Sequence, residues 1–164
     1  MAIKTKTHKT DLYNTLLTLS RNLFFYNKIG LKDTFETRIY LMFFHFSLML
    51  IIFKYKKIKF PQKSYDDLFF CIENNLRELG YGDVGVNKKM KDLNKILYDI
   101  LLKLHKYKSD FKINKNIVLR YFVEFNITNE TKYSYFDQYL TNFYHFCFEL
   151  SPDNMIKEAI NFRN

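Results

Sequence analysis

The chain has 164 residues, a formal net charge of +9, and 48% apolar and 19% aromatic residues. That length and apolar content suit one domain with a sizeable core. Cys71 and Cys147 each sit in an apolar helical pattern and are not spaced as metal ligands or a redox pair. They read as buried thiols in a reducing compartment.

The lysine excess has two readings. Eighteen Phe, 13 Tyr and no Trp accompany it, as AT-rich codon usage would give. A charge of this size also favours contact with nucleic acid, ribosomes or anionic lipid. Met1 to Thr10 is basic and polar with no apolar run, so it is read as a tail and not as a secretory signal. It is also short and poor in Arg for a mitochondrial presequence. The long segments beyond it repeat near 3.6 residues, and clean two-residue alternation is absent. The expected fold is all-α, a single-domain bundle of about five to seven helices over residues 11–164.

The first helix is expected from Asp11, as cap, to Tyr26, with Leu12, Leu16, Leu19, Leu23 and Tyr26 as its stripe. A turn at Gly30 follows. The second helix opens at Asp33, with Glu36 three residues on as a capping box, and runs to Lys54. Its centre, Ile39 to Phe53, is nearly all apolar. Fifteen residues span roughly 22 Å, short of the ~30 Å hydrocarbon core, so it is read as the buried centre of a bundle.

Lys54, Lys56, Lys57, Lys59 and Lys63 follow, and no acid stands among them. Two readings stay open for this basic stretch: a solvated loop, or a patch for anionic lipid or ribosomal RNA.

A third helix is expected from Ser64, with a stripe of Tyr65, Leu68, Phe69, Ile72, Leu76 and Leu79. A fourth runs from Asn87 to Lys108 on Met90, Leu93, Leu97, Ile100 and Leu104, and a fifth from Asn116 to Phe125. The last long one, Glu130 to Leu150, carries Tyr135, Tyr139, Phe143, Phe146 and Leu150. Pro152 ends it, and a short terminal helix reaches Phe162.

Three of the chain's four glycines fall between Leu79 and Val86. Gly80-Tyr-Gly82-Asp-Val-Gly85 fits G-x-G-x-x-G, but a dinucleotide site needs a strand before it, and helical sequence stands there. The simpler reading is a corner, with Gly80 closing the third helix, Asp83 capping the fourth, and Arg77 paired with Asp83 across the turn. His8, His45, His105 and His145 show no metal spacing, and His45 reads as a core histidine with its polar atoms satisfied. No metal, cofactor or paired acid–base site is expected, and an enzyme is the least favoured class.

Two blocks carry a family resemblance. One is Leu76-Arg77-Glu78-Leu79-Gly80-Tyr81-Gly82-Asp83, preceded by Tyr65-Asp-Asp-Leu-Phe69 and followed by Val86 and Lys88-Lys89-Met90. The other holds Arg21, Tyr26, Gly30, Asp33-Thr34, Arg38 and His45. Together they resemble the ubiquinol–cytochrome c chaperone family, with Thr37, Ile39 and Phe44 standing where the family pattern has Gly, an aromatic and Leu. The resemblance implies a non-enzymatic assembly chaperone that binds newly made cytochrome b and promotes assembly of ubiquinol–cytochrome c reductase, respiratory complex III. It implies work near the ribosomal tunnel exit and peripherally at the cytoplasmic face of a bacterial inner membrane, or the matrix side in a eukaryote. DNA and small-molecule substrates are not expected. Arg77, Glu78, Gly80, Gly82, Asp83 and Lys88 are expected on the client surface. Lys54, Lys56, Lys57, Lys59 and Lys63 are the residues for an anionic surface. The competing reading is a basic helical module that binds RNA, the ribosome or other proteins.

Overall fold

The computed structural model describes residues 11–105, 111–126 and 130–164. Seven α-helices form among them: α1 Asp11–Ser20, α2 Phe35–Tyr55, α3 Gln62–Glu78, α4 Asp83–Lys103, α5 Lys115–Tyr121, α6 Glu130–Glu149 and α7 Pro152–Glu158. No strand forms among the described residues, and one isolated bridge pairs His105 with Ile113. The chain is all-α, as expected. The expected tail 1–10 and residues 106–108 of the expected fourth helix lie outside the described residues.

α2 is the axis of the bundle. It packs on α1, α4 and α6, and every residue from Leu41 to Met49 is buried. A helix apolar on every side has to be covered on every side. Phe43, Phe44 and Phe46 are fully enclosed, each contributing about 1.5–3 kcal/mol by leaving water. α2 is long and apolar enough to cross a membrane by length and composition, yet most of it is buried among the other helices. His45 lies at its centre, fully buried. Its Nε2 is 2.8 Å from the Tyr139 hydroxyl and its Nδ1 is 2.6 Å from the Leu41 carbonyl. A carbonyl only accepts, so Nδ1 carries the proton and Nε2 accepts from Tyr139. Burial pushes the imidazole down to about 4, which keeps it neutral.

Several helix boundaries differ from expectation, each for a local reason. α1 stops at Ser20 because Asn22 turns the chain: its Oδ1 accepts from the Phe24 N–H at 3.0 Å. A single π-helical turn follows over Phe24–Lys28, and Leu23, expected in the stripe, is exposed. α2 is capped by Thr34, whose Oγ1 accepts from Thr37 N–H at 3.1 Å. Asp33 does not cap it, because its carboxylate is taken by Arg38. α3 starts two residues early, at Gln62, with Pro61 as the extended residue before it. Leu79 leaves the α3 stripe for solvent, and Cys71 joins the core.

α4 begins at Asp83, four residues earlier than expected, so Asp83 is its first helical residue. Gly82 stands at the cap without a side chain to bond. α5 ends at Tyr121, followed by a 3₁₀ turn over Val123–Asn126. The buried stripe of α6 is Phe136, Tyr139, Leu140, Phe143, Tyr144 and Cys147; it keeps Tyr139 and Phe143 of the expected stripe, while Phe146 and Leu150 are only partly buried and Tyr135 is exposed. Phe162 folds back onto Tyr139 and Phe143, with ring centroids at 5.3 and 5.5 Å. Both cysteines are free and buried, as expected.

Asp99 joins α4 to α5. It accepts from Arg120 Nη1 at 2.7 Å and Tyr121 O–H at 2.5 Å, and Lys103 Nζ lies at 2.6 Å.

Candidate functional site

The two sequence blocks meet on one face, where α1, α2 and α3 come together. Tyr13, Leu17 and Arg21 follow one another at intervals of four along α1 and the turn after it, so they form a single line. Phe35, Arg38, Ile39 and Met42 repeat in the same way on α2, and Asn75, Glu78 and Leu79 on the last turn of α3. These three lines enclose an open cleft of about 390 Å³. Leu17, Phe35, Ile39, Met42 and Leu79 supply apolar lining, and Arg21, Arg38 and Glu78 supply the charges. Asn75 Nδ2 donates to the Tyr13 hydroxyl at 2.5 Å, which joins the α1 and α3 walls.

Arg38 is held by Asp33. Its Nε and Nη2 donate to the two carboxylate oxygens at 2.7 and 2.9 Å, a two-pronged pair that fixes the guanidinium plane. That hydrogen bond lowers the pKa of Asp33 and raises that of Arg38. Tyr26 stands beside them and donates to the Ser20 carbonyl at 2.7 Å. Burial, then the neighbouring Asp33 charge, push its phenol up against the opposing pull of Arg38. Of the family-motif residues, Arg21, Tyr26, Asp33 and Arg38 gather at this face, whereas His45 is a core residue.

The α3–α4 corner borders the cleft. Gly80 has φ +97°, Gly80 N–H donates to Arg77 O at 3.0 Å and Tyr81 N–H to Leu76 O at 3.2 Å. This pair of bonds is the Schellman ending, and its left-handed residue is best filled by glycine. Gly82 and Gly85 have no such need. Arg77 pairs with Asp83 across the turn, as expected, and with Glu73 at 3.2 Å on its own helix. Arg77 and Asp83 therefore brace the corner, facing away from the cleft, while Glu78 lines it. Leu79, Tyr81 and Val84 are exposed around the corner, as are Gly80, Gly82 and Lys88.

The five lysines of the basic stretch do not act alike. Lys56 Nζ donates to the carbonyls of Phe148 and Leu150 at 2.6 and 3.1 Å and lies over the Phe148 ring. It is a structural clamp on the end of α6 and is not available to an anionic surface. Lys63 pairs with Asp67 at 2.7 Å. Lys54, Lys57 and Lys59 are exposed.

The glycine-rich corner is marked in the sequence, and the cleft wall is not. Tyr13, Leu17, Phe35, Ile39, Met42 and Asn75 look like ordinary helix residues in sequence. Tyr13, Ile39 and Met42 are core residues as well as cleft lining, so no separate stripe marks the wall. Among the described residues, no group of three His, Cys, Asp or Glu side chains gathers for a metal.

A family model described as ubiquinol-cytochrome C chaperone matches residues 27–140. The match takes in Asp33, Arg38, His45 and the whole corner, and starts after Arg21 and Tyr26. No curated protein and no solved structure matches the chain.

Proposed function

The chain belongs to the ubiquinol–cytochrome c chaperone family, and from that premise we propose that it binds newly made cytochrome b and holds it for assembly into respiratory complex III. The role in assembling that complex comes with the family. The client, the binding surface and the cellular site are the proposal. The carrying observation is that both motif blocks converge on one cleft, with an apolar floor and a charged rim. Such a cleft suits an apolar segment of an unfinished membrane protein, gripped through side chains set at helical spacing. Leu79, Tyr81 and Val84 extend the apolar surface beyond the rim. Glu78, Gly80, Gly82 and Lys88 lie exposed on the same corner, and Arg77 with Asp83 keeps the corner in shape.

The protein acts by binding, not by catalysis, at the cytoplasmic face of a bacterial inner membrane, close to where the client leaves the ribosome. Support for that location comes from the exposed lysines at the α2–α3 turn.

The test has two arms. Deleting the protein lowers assembled complex III; an unchanged level would remove the reading altogether. Tagged protein captures cytochrome b from solubilised membranes, and Leu79→Asp, at an exposed position on the cleft wall, cuts capture. Full capture by a folded Leu79→Asp protein moves the client off the cleft.

A further inference from the structure

We propose that the α2–α3 turn is a docking tip for an anionic bilayer surface, with Lys54, Lys57 and Lys59 meeting headgroups and Tyr55 and Ile58 entering the interface. This deepens the reading of a chaperone at the inner membrane, and rests on it for its biological setting.

The turn is built to hold its outward residues in place. Phe60 is half-buried against Phe46 and Phe53, with ring centroids at 5.3 and 5.0 Å, and anchors the turn from beneath. Lys56 is drawn sideways onto the end of α6. With those two fixed, Tyr55 and Ile58 are left 66% and 45% exposed, interleaved with three exposed lysines. No ion pair is formed by Lys54, Lys57 or Lys59 among the described residues. An aliphatic residue and a tyrosine between lysines match the depth profile of a bilayer interface, where apolar groups enter and cations stay at the headgroups. An acyl region buries Ile58 more deeply than a nucleic-acid surface does.

A second observation is independent of exposure. Lys57 N–H donates to Lys54 O at 3.1 Å and Ile58 N–H to Phe53 O at 3.0 Å. The turn is therefore a second Schellman ending, the same motif that closes α3. At α3 the left-handed residue is Gly80. Here it is Lys57, with φ 57°, the one non-glycine residue with positive φ among the described residues. A glycine fits this position without strain, and the chain carries a lysine instead. The strained position carries an exposed charge, which motivates assigning it a partner outside the fold.

The test is flotation of the purified full chain with phosphatidylcholine vesicles, with and without phosphatidylglycerol. Binding is expected only with the anionic lipid, and it weakens with added salt. Each of Lys54→Gln, Lys57→Gln and Lys59→Gln lowers affinity about fivefold, the equivalent of ~1 kcal/mol. Lys57→Gly weakens vesicle binding while raising the melting temperature, a combination that a purely structural role would not give. Ile58→Ser weakens binding without changing the salt dependence. Equal binding to neutral vesicles, or an unaltered affinity in the triple lysine variant, overturns the proposal. A triple variant that keeps vesicle binding and loses affinity for a single-stranded RNA probe assigns the tip to RNA, and also overturns it. The vesicle assay contains no client. A failure here leaves the complex III assay standing, and a normal complex III level in the deletion leaves the vesicle result standing.

Discussion

Acid should unfold this protein partly through one residue, His45. The neutral ring is enclosed at the centre of α2, donating to Leu41 and accepting from Tyr139. Burial pushes it down to about 4 from 6.5. In the unfolded chain the ring takes up a proton as pH drops below 6.5, and in the fold it stays neutral until about 4. The unfolded state therefore binds more protons across that window, and stability falls with pH. The stability is fully present above pH 6.5 and lost at ~1.36 kcal/mol per unit below it. Between pH 7 and pH 5 the loss is about 2 kcal/mol. Urea unfolding at both values, in wild type and in His45→Leu, measures it. The variant starts about 2–3 kcal/mol less stable at pH 7, because the Tyr139 hydroxyl loses its acceptor in a dry core. It then lacks the His45 part of the slope. His105, pushed down by burial, is present in both proteins and cancels in the difference. If wild type and variant lose the same stability between pH 7 and 5, the neutral, enclosed His45 is wrong.

Asp99 has its own window at lower pH. Burial alone would raise its pKa, but hydrogen bonds from Lys103, Tyr121 and Arg120 override that and hold the carboxylate at about 2. Its stabilisation is present above about 3.9 and lost as pH falls toward 2. Asp99→Asn should cost about 1–2 kcal/mol at pH 7, a gap that closes in acid unfolding curves near pH 2. Gly80→Ala meets no atom within 4 Å, so its cost is the left-handed backbone alone, about 1–2 kcal/mol, read from a denaturant midpoint. Lys56→Met removes the clamp on Phe148 and Leu150 and should cost about 1.5–3 kcal/mol. Amide exchange then rises first at the end of α6.

The helices were legible because their apolar residues repeat at 3.6 and because the chain holds so few glycines and prolines. Boundaries slipped where a side chain chose between two uses. Asp33 looks like a cap, but a bidentate arginine competes for the same oxygens, and Thr34 next door caps equally well. Asp83 looks like a cap too, yet Gly82 takes that place and Asp83 becomes the partner of Arg77. On α6, rings stand on most sides of the helix, so the stripe has no sharp edge: Tyr139 and Phe143 are buried as expected, while Tyr135 is exposed and Phe136 and Cys147 fill the core beside them. The corner at Gly80 was readable because glycine is rare here. The cleft beside it was not, because a groove is made by the separation of three helices and no single segment encodes that distance. Lys56 was indistinguishable from its neighbours in sequence. Its role depends on carbonyls some 90 residues away.

The apolar α2 sets a problem during synthesis. It is complete by Tyr55, but its covering helix α6 starts at Glu130, so at ~5–20 residues per second it waits for several seconds with one side uncovered. Throughout that interval the nascent chain presents a segment of membrane-spanning length. α1 and α3, its sequence neighbours, pack on each other as well as lying beside it, and they are the cover at hand. Under the proposed function, the protein has therefore to pass, in its own birth, through the state it is proposed to guard against in its client.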